Sequence, residues 1–295
     1  MRGDIPLSTV SSSIVSNGGP ELFYFRYGKS GGIPIVLLHG LSQQADFWNP
    51  TIHELALIDN DELDVIVVDQ RGHGLSQGFT EHHDLSIKAL AKDVEALLND
   101  LSIKRVFVVG HSMGAMVATQ FAANFPDRVS GILLIDGGIR TPRDGLHSGK
   151  STREEILSNL APPPGPFSES DLLDYYGRLD PENVDGVMAA IRRTYRSVGV
   201  DQYTSTLGLS RHMKLLNEIL DGPSNEILQH LQVPVWALLC HDQTEQTVQM
   251  LQNWSILANY QHMHLQHWYG YQHDLPLQRP AMIASLISSV SKGPL

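Results

Sequence analysis

The chain has 295 residues, of which 42% are hydrophobic and 18% charged, a composition typical of a folded globular protein. Its formal charge of -11 argues against a nucleic-acid partner, because affinity for phosphate backbones comes mainly from Lys and Arg, and the sequence has no basic run. The single cysteine, Cys240, excludes an internal disulfide.

The N-terminal stretch from Met1 to Pro20 lacks the basic region followed by an apolar region that marks a secretory signal. No apolar segment reaches the length needed to cross a bilayer. We therefore expect a cytoplasmic protein without a membrane span.

Apolar runs alternate with helical periods along most of the chain, which predicts βαβ units around a mainly parallel sheet. Helices are predicted at 87–101, where apolar residues follow an amphipathic stripe, and at 283–290, after Pro280. Short apolar segments predict strands, and in chain order these segments are 22–27, 35–38, 65–68, 105–109, 131–135, 233–239 and 262–266.

The pattern changes between about Ile139 and Pro223, where apolar strands give way to helical segments with polar starts. Ser151 followed by Glu154 indicates a capping box, and the proline cluster at 161–166 predicts a stiff connector. We interpret residues 140–223 as an all-helical cap inserted into a core made of residues 1–139 and 224–295.

The sequence Gly110-His111-Ser112-Met113-Gly114 stands between a predicted buried strand and a helix rich in small residues. This G-x-S-x-G pattern in a strand-turn-helix context predicts a nucleophile elbow with Ser112 exposed at the turn. We expect the two glycines to allow backbone angles that a Cβ resists and a close passage of the helix past neighbouring strands.

A serine hydroxyl needs a general base within hydrogen-bond reach. We predict His273 as this base, because it lies in a loop after the last predicted strand and so reaches the carboxyl edge of the sheet. His267 is the rival, although a packed or solvent-facing histidine beside Trp268 is its simpler interpretation.

An acid must orient the base. The strand at 233–239 leads directly to Asp242, and the chain order Ser112, Asp242, His273 is that of a Ser-Asp-His hydrolase triad. Asp136 is the competitor, since it also follows a predicted strand; its simpler role is to cap the next turn. We rank Asp242 above Asp136.

Acyl transfer also requires hydrogen-bond donors for the developing oxyanion. The N–H of Met113, directly after the nucleophile, and that of Leu41, in the loop after an earlier strand, are the predicted donors. Phe47 and Trp48 follow this loop, so they are candidates for a substrate pocket, with core packing as the alternative.

Taken together, His39-Gly40, the segment Asp69-Gln70-Arg71-Gly72-His73-Gly74-Leu75-Ser76 and the elbow at 110–114 resemble the α/β-hydrolase superfamily, in its cap-bearing serine esterase and lactonase-like group. The resemblance runs from Ile35 to about Pro280. It implies an α/β fold with a mainly parallel central sheet flanked by helices and an inserted helical cap.

The resemblance also implies a structural role for 69–76, and it implies the site roles as follows: nucleophile Ser112, acid Asp242, base His273, and oxyanion donors Leu41 and Met113. The chain departs from the family pattern at two places, since relatives commonly have glycine where Gln272 and Cys240 stand.

Other polar clusters have simpler interpretations. His262 and His264 alternate as metal ligands on a strand do, but no third ligand accompanies them at a recognisable spacing. Three arginines of the predicted cap are candidates to bind an acidic substrate, with a solvated helix face as the default: Arg192, Arg193 and Arg196. We predict no metal and no organic cofactor.

These features predict a serine hydrolase that cleaves an ester or lactone of a small, moderately apolar molecule. Serine rather than aspartate at the elbow argues against the epoxide hydrolases and haloalkane dehalogenases of similar sequence, which use a carboxylate nucleophile. Three alternatives share the scaffold: a carbon-carbon bond hydrolase or perhydrolase with the same triad, a ligand-binding receptor, and a biosynthetic lyase or cyclase.

Overall fold

A computed structural model describes residues 10–15, 20–59, 62–139, 151–222, 225–241 and 262–293, together with Leu146 and Gly149. An eight-stranded sheet forms its centre, with strand order β1-β2-β4-β3-β5-β6-β9-β10. The strands are β1 Val10–Val15, β2 Glu21–Gly28, β3 Ile33–Leu38, β4 Leu63–Val68, β5 Val106–His111, β6 Val129–Ile135, β9 Val235–His241 and β10 Met263–Tyr269.

The six strands from β4 to β10 run parallel, and β1 and β2 extend the sheet in antiparallel pairing. Parallel strands buried on both faces read as continuous apolar runs, which is the pattern of β4 and β5. The carboxyl ends of β3, β5, β6 and β9 therefore lie along one edge of the sheet.

Helices cover both faces of this sheet. They are α1 Asn49–Asp59, α2 Ile87–Asp100, α3 Met113–Asn124, the short α8 Leu275–Gln278 and α9 Pro280–Ser291. On β3, Val36 and Leu38 face the core shared with α2 and α3, while Ile35 and Leu37 face the core shared with α1 and α9. No helix within the described ranges is long and apolar enough to span a membrane.

The seven strands and two helices predicted from the sequence are all present, with ends that differ by a few residues. Three elements of the core were not predicted, namely β1, α1 and the short α8. Strand β1 is rich in serine, and helix α1 contains Pro50 in its first turn and lacks a clear amphipathic stripe. Neither carries the periodicity on which the prediction relied.

The segment between β6 and β9 contributes no described strand to the central sheet. Its described residues form four α-helices, namely α4 Arg153–Leu160, α5 Glu169–Tyr176, α6 Val184–Ile191 and α7 Leu209–Leu220. The expectation of an all-helical insertion is wrong in one respect, because an antiparallel hairpin lies within it, formed by β7 Tyr195–Gly199 and β8 Gln202–Ser205. The boundaries 140–223 stay a prediction.

The predicted capping box is displaced by one residue. Thr152, rather than Ser151, caps α4, with its hydroxyl accepting the Glu155 N–H and the Glu155 carboxylate accepting the Thr152 N–H. The reciprocal pattern requires a hydroxyl and a carboxylate three positions apart, and both pairs in the sequence satisfy that spacing.

Candidate active site

Ser112 occupies the turn between β5, which ends at His111, and α3, which begins at Met113. Its φ of 54° and ψ of -117° lie outside the regions that non-glycine residues usually adopt. The Ser112 N–H donates to the carbonyl oxygen of Ile135 at 3.0 Å, which ties the turn to the end of β6. Strain of this kind at an exposed hydroxyl is typical of functional sites.

Gly110 and Gly114 allow close approach rather than unusual dihedral angles. A Cβ on Gly110 would lie 2.3 Å from the Gly114 carbonyl oxygen, and one on Gly114 would lie 2.3 Å from the Leu38 carbonyl oxygen. Neither glycine is among the positive-φ residues, because Ser112 itself adopts that conformation. The expectation that the flanking glycines supply the backbone angles is therefore corrected.

His273 meets the nucleophile at the carboxyl edge of the sheet. Its Nε2 lies 2.9 Å from Ser112 Oγ, although the two residues are 161 positions apart in sequence. The His111 Nε2–H donates to the carbonyl oxygen of His273 at 2.8 Å and so fixes the loop. The rival His267 lies on β10, where its Nδ1 is 2.8 Å from His241 Nε2.

Asp136 provides the acid next to this imidazole. Its Oδ2 lies 2.6 Å from His273 Nδ1, and its Oδ1 accepts the Cys240 N–H at 3.0 Å. Asp136 follows β6 with a φ of 45°, a second left-handed non-glycine residue beside Ser112. Asp136 is therefore the carboxylate in hydrogen-bond contact with His273. Asp242, which the sequence analysis ranks above Asp136, lies outside the described residues.

Of the two predicted oxyanion donors, Met113 directly follows Ser112, and Leu41 directly follows Gly40. Neither the Leu41 N–H nor the Met113 N–H donates a hydrogen bond within the described part of the chain. Gly40 precedes Leu41 and passes so close to the nucleophile that a Cβ there would lie 3.0 Å from Ser112 Cβ. This close passage is what a donor next to the reacting carbon requires.

Gln43, which the sequence analysis did not single out, joins three loops of the site. Its Oε1 accepts the Gly40 N–H at 2.8 Å and lies 3.0 Å from His111 Nδ1. Its Nε2 donates to Asp274 Oδ1 at 2.8 Å, directly beyond the base. Burial raises the pKa of Asp274. No signal in a single sequence marks an isolated glutamine as such a connector.

The segment 69–76 has the structural role that the family resemblance implies. Asp69 accepts the N–H groups of Ala45 and Leu75 at 2.7 and 2.8 Å, and Ser76 donates to its backbone oxygen at 2.6 Å. Nearby, burial lowers the pKa of His39 to about 4 and that of His73 to about 3. Both imidazoles are therefore neutral at pH 7.

Burial likewise lowers the pKa of His111 to about 3. Its ring stacks on Phe47 with centroids 4.9 Å apart. Phe47 and Trp48 are 1% and 0% exposed, enclosed in the core shared with α1 and α9. This burial favours core packing, the alternative given for these two rings, and their place in a substrate pocket stays a prediction. Phe47 supports the imidazole that precedes the nucleophile.

Arg193 lies in the segment inserted between β6 and β9, and it pairs with two aspartates of the core. Its guanidinium pairs with Asp46 through two nitrogens and with the fully buried Asp69 at 3.1 Å. It also lies over the Phe25 ring at 5.1 Å. Arg193 is thus a structural contact, neither a substrate anchor nor a solvated side chain. Arg192 and Arg196 are exposed to solvent, which agrees with the solvated face given as their default in the sequence analysis.

Tyrosines of the inserted segment lie near the base loop. The hydroxyls of Tyr176 and Tyr195 are 3.0 Å apart. Burial raises the pKa of both, and the charge of Asp274 adds to the rise. Tyr195 also lines a cavity of about 510 Å³ within the inserted segment, whose walls include neither Ser112 nor His273. This cavity is therefore separate from the nucleophile.

The strand histidines do not form a metal centre in the part of the chain that the structure describes, which holds no group of three His, Cys, Asp or Glu side chains able to bind a metal ion. His264 stacks on Trp236 with ring centroids 5.4 Å apart.

Two curated proteins of Mycobacterium tuberculosis (strain H37Rv) match part of the chain. Lipase LipV is 32% identical over 144 residues, which are 48% of this chain and 49% of the lipase. Epoxide hydrolase B is 32% identical over 145 residues, which are 49% of this chain and 36% of that enzyme. The matched segments thus span about a third to a half of these relatives.

Among solved structures, the thioesterase domain from the curacin biosynthetic pathway superposes with a TM-score of 0.73 at 20% identity, covering 95% of this chain and 99% of the domain. That likeness shows the fold alone. The family model of the alpha/beta hydrolase fold matches residues 33–278. The chain therefore belongs to the α/β-hydrolase family.

Proposed function

We propose that the protein is a serine hydrolase that cleaves an ester or lactone bond of a small, moderately apolar molecule through a Ser112-His273-Asp136 triad. The observation that carries the proposal is the continuous chain of contacts from Ser112 Oγ to His273 Nε2, at 2.9 Å, and from His273 Nδ1 to Asp136 Oδ2, at 2.6 Å. The proposal requires no metal and no organic cofactor.

In the first half of the reaction, His273 Nε2 takes the proton of Ser112 as its Oγ attacks the substrate carbonyl carbon. The carbonyl oxygen becomes an oxyanion that accepts hydrogen bonds from the Leu41 and Met113 N–H groups. His273 then gives the proton to the leaving alkoxide, and an acyl-enzyme forms on Ser112.

Deacylation repeats these roles with water. His273 takes a proton from water as the water oxygen attacks the acyl carbon, and it returns the proton to Ser112 as the acid leaves. Asp136 holds the Nδ1–H of the imidazole throughout, which keeps Nε2 available as a base and stabilises the imidazolium. The peptide N–H of Cys240 fixes the other carboxylate oxygen of Asp136.

The family alone does not select this reaction, since its members that match include an epoxide hydrolase and a lipase. The hydroxyl at the elbow supports acyl transfer. Burst kinetics with p-nitrophenyl esters of rising acyl-chain length test the proposal. We expect a nitrophenolate burst that equals the enzyme concentration when deacylation limits, followed by repeated turnover.

The alternatives give different results in the same experiment. A ligand-binding receptor releases at most one slow equivalent and is stabilised by its ligand without turnover. A lyase or cyclase that forms no acyl-enzyme shows no burst with any ester. A carbon-carbon hydrolase shows a burst with esters but much faster turnover of a diketone. Absence of a burst and of turnover in folded protein would refute the proposal.

A further inference from the structure

Ser42 lies in the loop that follows β3 and carries Leu41, and it contacts a histidine from the inserted segment between β6 and β9. Ser42 Oγ lies 2.7 Å from His212 Nδ1, although the residues are 170 positions apart in sequence. His212 lies on α7 and is 7% exposed. Ser42 directly follows Leu41, one of the two proposed oxyanion donors, so this contact reaches the reacting centre across a single residue.

The direction of this hydrogen bond follows from the other ring nitrogen. His212 Nε2 lies 3.3 Å from the carbonyl oxygen of Leu160, which can only accept, so Nε2 carries the proton. Burial lowers the pKa of His212, which favours the neutral ring with a single N–H. Nδ1 is then an acceptor, and the hydroxyl of Ser42 donates to it.

The backbone of Ser42 is held as well. Its N–H donates to His73 Nε2 at 3.3 Å, while His73 Nδ1–H donates to the Arg71 carbonyl oxygen at 3.1 Å. Ser42 adopts a φ of 63°, a left-handed conformation that is unfavourable for a non-glycine residue. Contacts to both its backbone and its side chain hold it there.

Leu41 is consequently fixed from both sides. On one side, Gly40 donates its N–H to Gln43 Oε1 at 2.8 Å and lies against the nucleophile. On the other, Ser42 is held by His73 and His212. Rotation of the peptide between Gly40 and Leu41 would turn the Leu41 N–H away from the oxyanion, and these two anchors oppose that rotation.

We propose that His212 is a positioning residue for the oxyanion hole: by accepting the Ser42 hydroxyl, it holds the Leu41 N–H toward the reacting carbonyl and makes acyl transfer depend on the docked inserted segment. The proposal rests on the proposed function. It gives the inserted segment a role in the chemical step, because His212 contacts Ser42, and Ser42 directly follows Leu41, which carries a proposed oxyanion donor.

The test compares Ser42→Ala, His212→Leu and His212→Asn in the full chain with a p-nitrophenyl ester. We expect Ser42→Ala and His212→Leu each to lower kcat by about 10- to 100-fold, since removal of an entire oxyanion donor costs about 100- to 1,000-fold. KM should change less than about twofold, because the donor acts on the transition state. The double variant should be no slower than either single variant.

His212→Asn serves as the conservative variant. Its amide can accept from Ser42 through Oδ1, so we expect it to recover most of the lost kcat. Ser102→Ala is the matched control: Ser102 is an exposed serine with a φ of 56° that precedes the amino end of β5, whereas the site lies at the carboxyl end, and its replacement should leave kcat unchanged. Melting temperature is measured for each variant, and Ser42→Ala, which removes one oxygen, keeps the test valid if His212→Leu misfolds.

Three outcomes would overturn the inference, and the third would also overturn the proposed function. A wild-type burst with unchanged kcat in Ser42→Ala refutes the positioning role and leaves the triad intact. Loss of kcat in His212→Leu that His212→Asn does not restore, or that adds fully to the loss in Ser42→Ala, shows general damage rather than positioning. A wild-type protein without a burst refutes the proposed function and this inference together.

Discussion

Asp136 Oδ2 and His273 Nδ1 lie 2.6 Å apart although 137 positions separate the two residues in the chain. The contact joins the end of β6 to the loop between β10 and α8. It supports the proposal that the orienting carboxylate follows β6, the strand that pairs directly with β5.

We predict that Asp136→Asn lowers kcat by about 10,000-fold, the size of effect seen when the acid of such a triad becomes an amide and the imidazole takes the wrong tautomer. Asp242→Asn is the comparison variant and should retain kcat within about threefold. Steady-state kinetics and melting temperatures of both variants check the assignment. A large loss confined to Asp242→Asn would reverse it.

The choice between the two candidate acids shows a specific limit of sequence reasoning. Asp136 and Asp242 both follow apolar strands whose carboxyl ends share one edge of the sheet, so the local patterns of the two residues are equivalent. Only the strand order places β6 next to β5, and strand order is set by long-range packing. Gly137 directly follows Asp136 and lies close to Ser112 in the fold. This glycine is the feature of the sequence that could have favoured Asp136.

Gly137→Ala should damage the nucleophile turn directly. A Cβ at this position would lie 2.3 Å from the Ser112 carbonyl oxygen and 2.7 Å from Ser112 Cα, so the backbone has to move. Displacement of a reacting group by about 1 Å costs about 100-fold in rate, and we expect a loss of that size in kcat. Circular dichroism checks the fold. Full activity of the variant would contradict the described geometry.

Folding stability should fall between pH 7 and pH 5. Burial lowers the pKa values of His39, His73 and His111 to about 4, 3 and 3. As the pH falls below 6.5, these histidines therefore become protonated in the unfolded chain but stay neutral in the folded chain. Each histidine then removes about 1.4 kcal/mol of stability per pH unit as the pH falls below 6.5. Asp274, whose pKa is raised by burial, acts in the opposite direction, because protonation of its carboxyl favours the folded chain as the pH falls.

Urea unfolding at pH 7, 6 and 5 measures the effect. His73→Gln should reduce the slope of the unfolding free energy against pH by the equivalent of about one proton, even though it lowers stability at pH 7. His82→Asn is the control, because His82 is exposed, and its slope should equal that of the wild type. Equal stability of the wild type at pH 7 and pH 5 would show that these imidazoles are not held neutral.

Arg193→Ala should destabilise the protein by about 1 to 3 kcal/mol, since it leaves the buried Asp69 without its cationic partner at a partly buried site. Arg192→Ala, at the adjacent exposed position, should change stability by less than about 0.5 kcal/mol. Chemical denaturation of both variants provides the comparison. Equal effects would mean that the Arg193 contacts contribute little.

The sequence allowed the elbow and the base to be predicted because each is a local pattern: a strand-turn-helix with small residues, and a histidine after the last strand. The hairpin β7–β8 was missed because buried apolar residues do not alternate with exposed polar ones in its sequence. Val198 in β7 and Val200 in the turn are 51% and 98% exposed. Arg193 was assigned to solvent because its partners, Asp46 and Asp69, lie in a distant part of the chain.

The central claim is that Ser112 acts as a nucleophile activated by His273. Peptide mapping after reaction with a fluorophosphonate tests it most directly. We expect one covalent adduct, located on Ser112, in the wild type; no adduct in Ser112→Ala; and labelling slowed by at least about 100-fold in His273→Ala. An adduct on another residue, or an unlabelled Ser112 in folded wild-type protein, would contradict the claim.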